Sequence, residues 1–175
     1  TNNVSAQNSS DLGVFDLMNS MIAPELLGWD RFMLGILDDN QVNCVTSSTA
    51  STHWLRPIES KSKETKLVVI PTGAYTAVAI ESRRSYGFDT NLGSRDEGPI
   101  VYTIDTRIPF RNSPIKIVPS PSSTDSTWRR DAALLLGESV TVEGWKITCV
   151  ETGNFGDVVK IEKDRKSTRL NSSHE

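Results

Sequence analysis

Acidic and amide side chains cluster in a short stretch of the chain where they could bind a hard cation. The cluster comprises Asp89, Asn91, Asp96 and Glu97. Calcium takes several carboxylate and amide oxygens, so these residue types suit it. The spacing is not that of an EF-hand, because Gly93 and Ile100 stand where two of its ligands are required. A solvated polar loop between two strands is therefore the better interpretation, and calcium binding in an irregular site is the alternative.

The histidines do not provide a catalytic zinc site. Such a site in a peptidase needs two histidines on one helical face, a third protein ligand and a glutamate that takes a proton from the bound water. The chain has 2 histidines, His53 and His174, which lie 174 − 53 = 121 positions apart. No H-E-x-x-H motif occurs, so we assign no catalytic residue and no metal ligand to this chain. A serine or cysteine hydrolase is also disfavoured, because the sequence has no G-x-S-x-G elbow.

The two cysteines could be joined or free. Cys44 alternates in phase with Val42, and Cys149 alternates in phase with Ile147, so both side chains are predicted to point inward. Two buried free thiols and one disulfide are equally compatible with this pattern.

A helix is predicted near the N-terminal end of the chain. Pro24 suits the first turn of a helix, where its missing N–H would have no partner. Apolar residues then recur at three- and four-residue steps, and Gly35 offers a stop. This apolar face comprises Leu26, Trp29, Met33 and Leu37. The pattern predicts a buried helix from Pro24 to about Leu34, preceded by a turn-rich loop and a short apolar run.

From about residue 42 onward the pattern is that of β-strands. Short runs rich in β-branched residues are bounded by turn residues, and the Glu143-Gly144 pair predicts a tight hairpin. The predicted strands are Lys66–Pro71, Thr76–Ser82, Pro99–Asp105, Ile115–Val118, Trp145–Glu151 and Asp157–Glu162. The fold class is therefore predicted to be mainly β with a short N-terminal α segment, as an antiparallel β-sandwich packed against a helix.

Composition argues against two classes of partner. Lysine and arginine total 19 against 22 acidic residues, and the basic residues are scattered, so no nucleic-acid partner is expected. No apolar run approaches the roughly 20 residues that span a bilayer, so no membrane segment is expected. With 37% hydrophobic residues the chain can form one core.

Three stretches of the chain, taken in order, carry a resemblance to a known family. The first stretch contains Gly13, Phe15, Asp16 and Met18, followed by the Pro-led helix. The second contains a glutamate-any-arginine element and a glycine-led strand that ends in aspartate, at Glu81, Arg83, Gly98 and Asp105. The third consists of the closing strands. In this order they resemble the immune inhibitor A family of secreted zinc metallopeptidases, over about Gly13 to Lys163.

The resemblance implies a role for residues of the first stretch. In metzincin peptidases a methionine in a tight turn lies beneath the histidine ligands of the metal. By resemblance, Met18 would take that place and Asp16 would fix the turn. The resemblance further implies zinc in the intact enzyme, with its ligands outside this chain, protein or peptide substrates, and an extracellular location. A secreted protein would also favour a disulfide between Cys44 and Cys149 over free thiols.

The resemblance divides the chain into three parts. Residues 1–41 would be the C-terminal remnant of a metallopeptidase catalytic domain, and residues 42–163 a β-sandwich domain. The chain starts at Thr1, so we expect a truncation just downstream of the metal ligands. Residues 164–175 lack apolar periodicity and are expected to be a disordered tail derived from adapter sequence.

Two functions from different classes are compatible with these features. The first is the C-terminal part of a secreted zinc-dependent endopeptidase, inactive by itself. The second is a non-catalytic β-sandwich module that binds or supports other extracellular molecules. We favour the first, because a free-standing sandwich has no need of a methionine turn that leads into a helix bearing Trp29.

Overall fold

Two β-sheets and a short helical segment make up the described part of the chain. The computed structural model describes residues 9–16, 26–85, 87–89, 92–93, 95–109 and 112–166. The strands are β1 (Val42–Cys44), β2 (Ser51–Leu55), β3 (Leu67–Pro71), β4 (Thr76–Arg83), β5 (Gly98–Asp105), β6 (Ile115–Val118), β7 (Ser139–Val142), β8 (Trp145–Gly153) and β9 (Gly156–Lys163). The helices are α1 (Ser9–Leu12) and α2 (Gly28–Met33), and 3-10 turns occupy Asp39–Gln41 and Gly87–Asp89.

The strands form a five-stranded and a four-stranded sheet. The first sheet has the order β1-β3-β4-β5-β6, and the second has the order β2-β9-β8-β7. All neighbours are antiparallel except β1 and β3, which pair in parallel with Val42 opposite Leu67. The predicted fold class, a mainly β sandwich with a short α segment near the N-terminus, is confirmed.

The first sheet is covered on both faces. Alternate residues of its strands, such as Val68 and Ile80, pack against the second sheet in what we call the inner cluster. The residues between them, such as Leu67 and Ile100, belong to an outer cluster that includes the N-terminal segment, which we define as residues 9–16 and 26–37. A strand that is buried on both faces has apolar residues at successive positions. This explains the continuous apolar sequence of β3.

The predicted hairpin and strand positions agree closely with the structure. Glu143 and Gly144 join β7 to β8 and both have positive φ, 50° and 78°, as a type I′ turn requires. The six predicted strands are all present, with ends that differ by no more than a few residues. Of the other three strands, β7 is the first strand of the predicted hairpin, and β1 and β2 had no predicted bounds.

The helix in the described residues is shorter than the predicted helix. Pro24 lies outside the described residues, and α2 spans Gly28–Met33. Leu37 is buried and Trp29 packs partly against the outer cluster, but the prediction that Met33 is buried is wrong, because 64% of it is exposed. The first turn of α2 lies against β4. The chain turns away after the helix at Gly35, whose φ is 73°, and the last turn of α2 lies at the surface.

A buried ion pair ties the two sheets together. Arg84, just after β4, binds Asp157 of β9 and also donates to the carbonyl of Gly153 at 2.8 Å. The second carboxylate oxygen of Asp157 accepts from the Ser82 hydroxyl at 2.6 Å. Burial raises the pKa of Asp157, and Ser82 and Arg84 offset part of this rise. These contacts fix β4 relative to the second sheet.

The predicted tail lies largely outside the described residues. The last strand ends at Lys163, and the description continues only to Lys166. The prediction that residues 164–175 are a disordered, non-native tail stays a prediction. None of the described helices has the length and apolar character that crossing a membrane requires.

Candidate functional site

A buried polar network lies on the outer face of the first sheet, beneath the N-terminal segment. Glu81 and Arg83 are two positions apart on β4, so strand alternation places both side chains on this face. Tyr102 reaches the same face from β5, because its register partner Ala79 also points there. All three residues are 0% exposed. We call Glu81 and Arg83 the β4 clamp.

The Glu81 carboxylate binds the start of α2 and the tyrosine of the neighbouring strand. Its Oε2 atom accepts from the backbone N–H of Gly28 at 2.6 Å and from the Tyr102 hydroxyl at 2.8 Å. Its Oε1 atom accepts from Arg83 at 3.1 Å. Burial raises the pKa of Glu81, while Arg83, Tyr102 and Gly28 offset part of this rise. Glu81 therefore determines where α2 begins on the sheet.

The Arg83 guanidinium is saturated with acceptors from three parts of the chain. Its Nε and Nη2 atoms each donate to one oxygen of Asp89 at 2.8 Å, and Nη1 donates to Glu81. Nη1 also donates to the carbonyl oxygen of Phe15 at 2.7 Å. Burial lowers the pKa of Arg83, but Asp89 and Glu81 raise it by more, so the guanidinium stays charged.

The β4 clamp holds both flanks of one stretch of the N-terminal segment. Arg83 binds the carbonyl of Phe15 on one side, and Glu81 binds the N–H of Gly28 on the other. Between these contacts lies the predicted turn, with Asp16 buried and only 2% exposed. Met18 also belongs to this stretch but lies outside the described residues, so its predicted place beneath a metal stays a prediction.

A cavity of about 260 Å³ lies beside the clamp, between the N-terminal segment and strands β5 and β6. Its apolar walls are formed by Leu12, Trp29, Ile104, Ile108, Pro114 and Ile115. Its polar groups belong to Asp16, Asp30, Thr106 and Ser113. The described lining residues include no lysine, arginine or histidine. The described lining is therefore mostly apolar and includes two carboxylates.

The titration of Asp30, one of the carboxylates at this cavity, is strongly perturbed. Its pKa is raised from 3.8 to about 6, first by burial and then by the negative charges of Asp16 and Glu81. In the described part of the chain, its carboxylate has neither a hydrogen-bond donor nor an ion-pair partner. A cation that entered the cavity would relieve the repulsion that raises this pKa.

The residues of the predicted calcium cluster serve hydrogen bonds within the protein. Asp89 is bound to Arg83 through both oxygens. Asp96 and Glu97 each accept a hydrogen bond from a backbone N–H of the same loop, at 2.7 and 2.8 Å. Asn91 lies outside the described residues. Among the residues that the structure describes, no group of three or more acidic, histidine or cysteine side chains could hold a metal ion.

His53 occupies a strand and is engaged by its neighbours. It lies in β2, with Nε2 2.8 Å from the Ser51 hydroxyl and Nδ1 3.4 Å from the Asn43 amide nitrogen. Burial lowers the pKa of His53. His174 lies outside the described residues. The described donor set therefore does not fit a zinc site, and we assign no metal chemistry to it.

The predicted disulfide is absent, and one of the two inward orientations is wrong. Both cysteines are free thiols, with Cys149 buried and Cys44 exposed. Cys44 pairs with Val69 and so shares the outer face of the first sheet, where β1 is an uncovered edge. Cys149 belongs to the inner cluster. Cys149 lies on β8 of the second sheet and Cys44 on the outer face of the first, so the first sheet separates the two thiols and they cannot form a bond.

The other residues of the resemblance have structural roles. Gly98 opens β5 with a φ of 138°, and a Cβ there would lie 3.0 Å from the carbonyl oxygen of Leu134. Asp105 ends β5 and is bound through both oxygens by Arg107, at 3.0 and 2.9 Å, near the surface. Gly98 pairs with Arg83 in the β4–β5 ladder, whereas Asp105 pairs with Thr76 at the other end of β5.

Two residues of the site, Tyr102 and Asp30, were not predicted from the sequence. For Tyr102 a signal existed, because it alternates in phase with Ile100 and Ile104 on a predicted strand. For Asp30 no signal existed, because a lone acidic residue between two aromatic residues of a short helix is a common surface pattern.

Comparisons with protein-family models, with curated proteins and with solved structures found no match. The residues and contacts described above are thus the basis for assigning a function.

Proposed function

We propose that this chain is the C-terminal part of a secreted zinc-dependent endopeptidase, in which its outer layer supports the catalytic site. One observation carries the proposal, namely that the β4 clamp binds Phe15 and Gly28 on the two flanks of the stretch that contains Asp16 and Met18. The first and second stretches that carry the family resemblance are therefore in direct contact through buried polar groups.

The composition of the clamp supports a positioning role. Apolar residues would cover the outer face of the first sheet at a lower free-energy cost than charged residues, because a buried carboxylate or guanidinium loses its hydration. Glu81 and Arg83 are instead fully buried, and their bonds go to backbone atoms of the N-terminal segment. Directional bonds of this kind define the position of a loop more narrowly than apolar packing does.

The proposed role of this chain is support, because its described residues do not fit a zinc site. Asp16, fixed beside the Phe15 carbonyl, would hold the turn that carries Met18. Protein or peptide substrates and an extracellular location belong to the same proposal. The competing possibility, a non-catalytic β-sandwich module, accounts for both sheets but gives no reason for a charged clamp on one face.

The reading frame upstream of Thr1 in the source DNA tests this proposal. We expect an in-frame H-E-x-x-H motif, followed within a short stretch by an acidic residue. A stop codon directly upstream, or an unrelated domain joined to Thr1, would contradict the proposal and favour the non-catalytic module.

A further inference from the structure

Strand β2 lies at one edge of the second sheet. It stands first in the order β2-β9-β8-β7, and its five residues pair with residues 157–161 of β9. An edge strand presents a row of backbone donors and acceptors on its outer side, and these groups can pair with a further strand. We call this outer side the β2 edge.

Two contacts show which residues of β2 point to the β2 edge. The carbonyl oxygen of Leu55 points towards β9, because a Cβ on Gly156 would overlap it. The next backbone N–H, that of Arg56, points the other way and donates to the carbonyl of Thr65 at 2.8 Å. Backbone groups alternate in direction along a strand, so those of the even-numbered residues of β2 point to the β2 edge.

The even-numbered residues of β2 are Thr52 and Trp54, and both are exposed. In the described part of the chain, no backbone hydrogen bond reaches either residue from the outer side. Their N–H and C=O groups lie in line with the N–H of Arg56, which already binds Thr65. An extended peptide would continue the pairing that Thr65 begins.

A slot of about 540 Å³ lies along the β2 edge, between β2 and residues 63–65. Sites for whole ligands typically have volumes of about 300–1,000 Å³. The slot is therefore large enough for a short extended segment.

The inner side of the slot is polar. Asn43 pairs with Val68 of the inner cluster and so faces the second sheet, while His53 shares the inner face of β2 with Leu55. The Asn43 amide nitrogen lies 3.4 Å from Nδ1 of His53, and Nε2 of His53 lies 2.8 Å from the Ser51 hydroxyl. The residue of an added strand opposite His53 would face this group, so a hydroxyl side chain suits that position.

We propose that the β2 edge binds an extended peptide segment of another protein, which adds to the second sheet as a fifth strand. The backbone of Thr52 and Trp54 would supply the hydrogen bonds, and the slot would receive alternate side chains of the peptide. A second copy of this chain fits less well, because its own β2 is flanked by residues 63–65, which would compete for the slot. Binding of a strand does not depend on the proposed function.

Titration of this chain with a neutral β-forming peptide tests the inference. The probe is the blocked peptide acetyl-TVTVT-amide, which can direct its hydroxyls inward. Binding is followed by NMR and hydrogen exchange at the backbone amides of Thr52 and Trp54. In the chain alone, these amides should exchange faster than those of His53 and Leu55, which point to β9. Peptide at about ten times its Kd should slow their exchange about tenfold.

Thr52→Pro removes one outward N–H from the β2 edge. Proline is tolerated in an edge strand where its nitrogen faces outward, so the ladder between β2 and β9 should be kept. We expect the affinity for the peptide to fall by about tenfold or more, whereas the matched variant Thr52→Ala should bind as the unchanged chain does. The same peptide with an N-methyl group on every backbone amide should not bind, and this control needs no variant of the protein.

Equal affinity of folded Thr52→Pro and Thr52→Ala would overturn the inference, as would equal binding of the N-methylated peptide or the absence of saturable binding. Slow exchange at Thr52 in the chain alone that becomes fast on dilution would overturn it in favour of pairing between two copies. Each of these results would leave the proposed function intact, because that function is tested by the upstream reading frame.

Discussion

Replacement of Arg83 by methionine should be the most damaging single change to the outer layer of this protein. Methionine keeps much of the volume of the side chain but removes its positive charge and its donors. Asp89 would lose two hydrogen bonds of 2.8 Å, and Glu81 would lose one of 3.1 Å. The Phe15 carbonyl would lose its donor at 2.7 Å.

The size of the effect follows from the burial of the groups left behind. Glu81 is 0% exposed and Asp89 is 1% exposed, so water cannot replace the lost donors without a local rearrangement. Removal of one partner from a buried ion pair typically costs about 3–5 kcal/mol. A domain of ordinary stability has about 5–15 kcal/mol in total. The Arg83→Met variant should therefore fold marginally or not at all, and Arg83→Lys, which keeps the charge, should lose less.

Urea unfolding followed by tryptophan fluorescence and circular dichroism measures this effect. For an m-value of about 2 kcal/mol/M, the expected loss shifts the midpoint down by about 2 M. Arg107→Met is the matched control, because Arg107 also binds both oxygens of an aspartate, Asp105, but is 60% exposed. Its midpoint should not change measurably, since exposed pairs of this kind contribute little.

Equal midpoints for Arg83→Met and Arg107→Met would refute the reasoning. That result would mean that the N-terminal segment is held by apolar contacts and that the β4 clamp does not position it. The reasoning is supported if Arg83→Met loses the most stability, Arg83→Lys loses an intermediate amount and Arg107→Met loses none.

Three further predictions concern the same layer and the two thiols. The pKa of Asp30 is raised from 3.8 to about 6 in the folded state, so the stabilisation that comes from its protonated form is complete below pH 3.8 and is lost as the pH rises through about 6. Asp30→Asn should therefore raise the melting temperature above pH 6 and leave it unchanged near pH 3.8. Cys44 should react with a thiol reagent in the native state, whereas Cys149, buried and with its pKa raised to about 12, should react only on unfolding. Trp29→Ala should lower the urea midpoint clearly, because Trp29 packs on the outer cluster, and Met33→Ala, at a side chain 64% exposed, should not.

Much of the sandwich could be predicted because its strands have a local signature. The runs at β3, β4 and β5 are rich in β-branched residues and are bounded by turns, and the Glu143-Gly144 turn needs only two residues with positive φ. These features depend on a few neighbouring residues. The strands were therefore predicted to within a few residues of their observed ends.

The faces of the strands were harder to predict, because alternation does not say what covers each face. Cys44 does alternate in phase with Val42, as expected, but their shared face is covered only where the N-terminal segment passes over it. The edge position of β1 leaves Cys44 at the surface. The prediction for Met33 fails for a similar reason, since the last turn of α2 lies at the surface, where nothing in the described part of the chain covers that side chain.

The site illustrates the difference between a residue pattern and a set of contacts. The alternation of Glu81 and Arg83 on β4 could be read from the sequence, and so could their shared face. Their partners could not, because Phe15 and Gly28 contribute backbone atoms from a segment more than 50 positions away. Asp30, whose pKa is raised by burial and by Asp16 and Glu81, is likewise singled out by no motif.

The central claim, that this chain belongs to a zinc-dependent endopeptidase, is tested most directly by proteolysis with the protein encoded by the complete reading frame. The measurement is casein cleavage before and after treatment with the zinc chelator 1,10-phenanthroline, followed by re-addition of zinc. We expect cleavage that the chelator abolishes and zinc restores. A folded full-length protein that does not cleave casein, or that cleaves it equally well in the presence of the chelator, would contradict the claim.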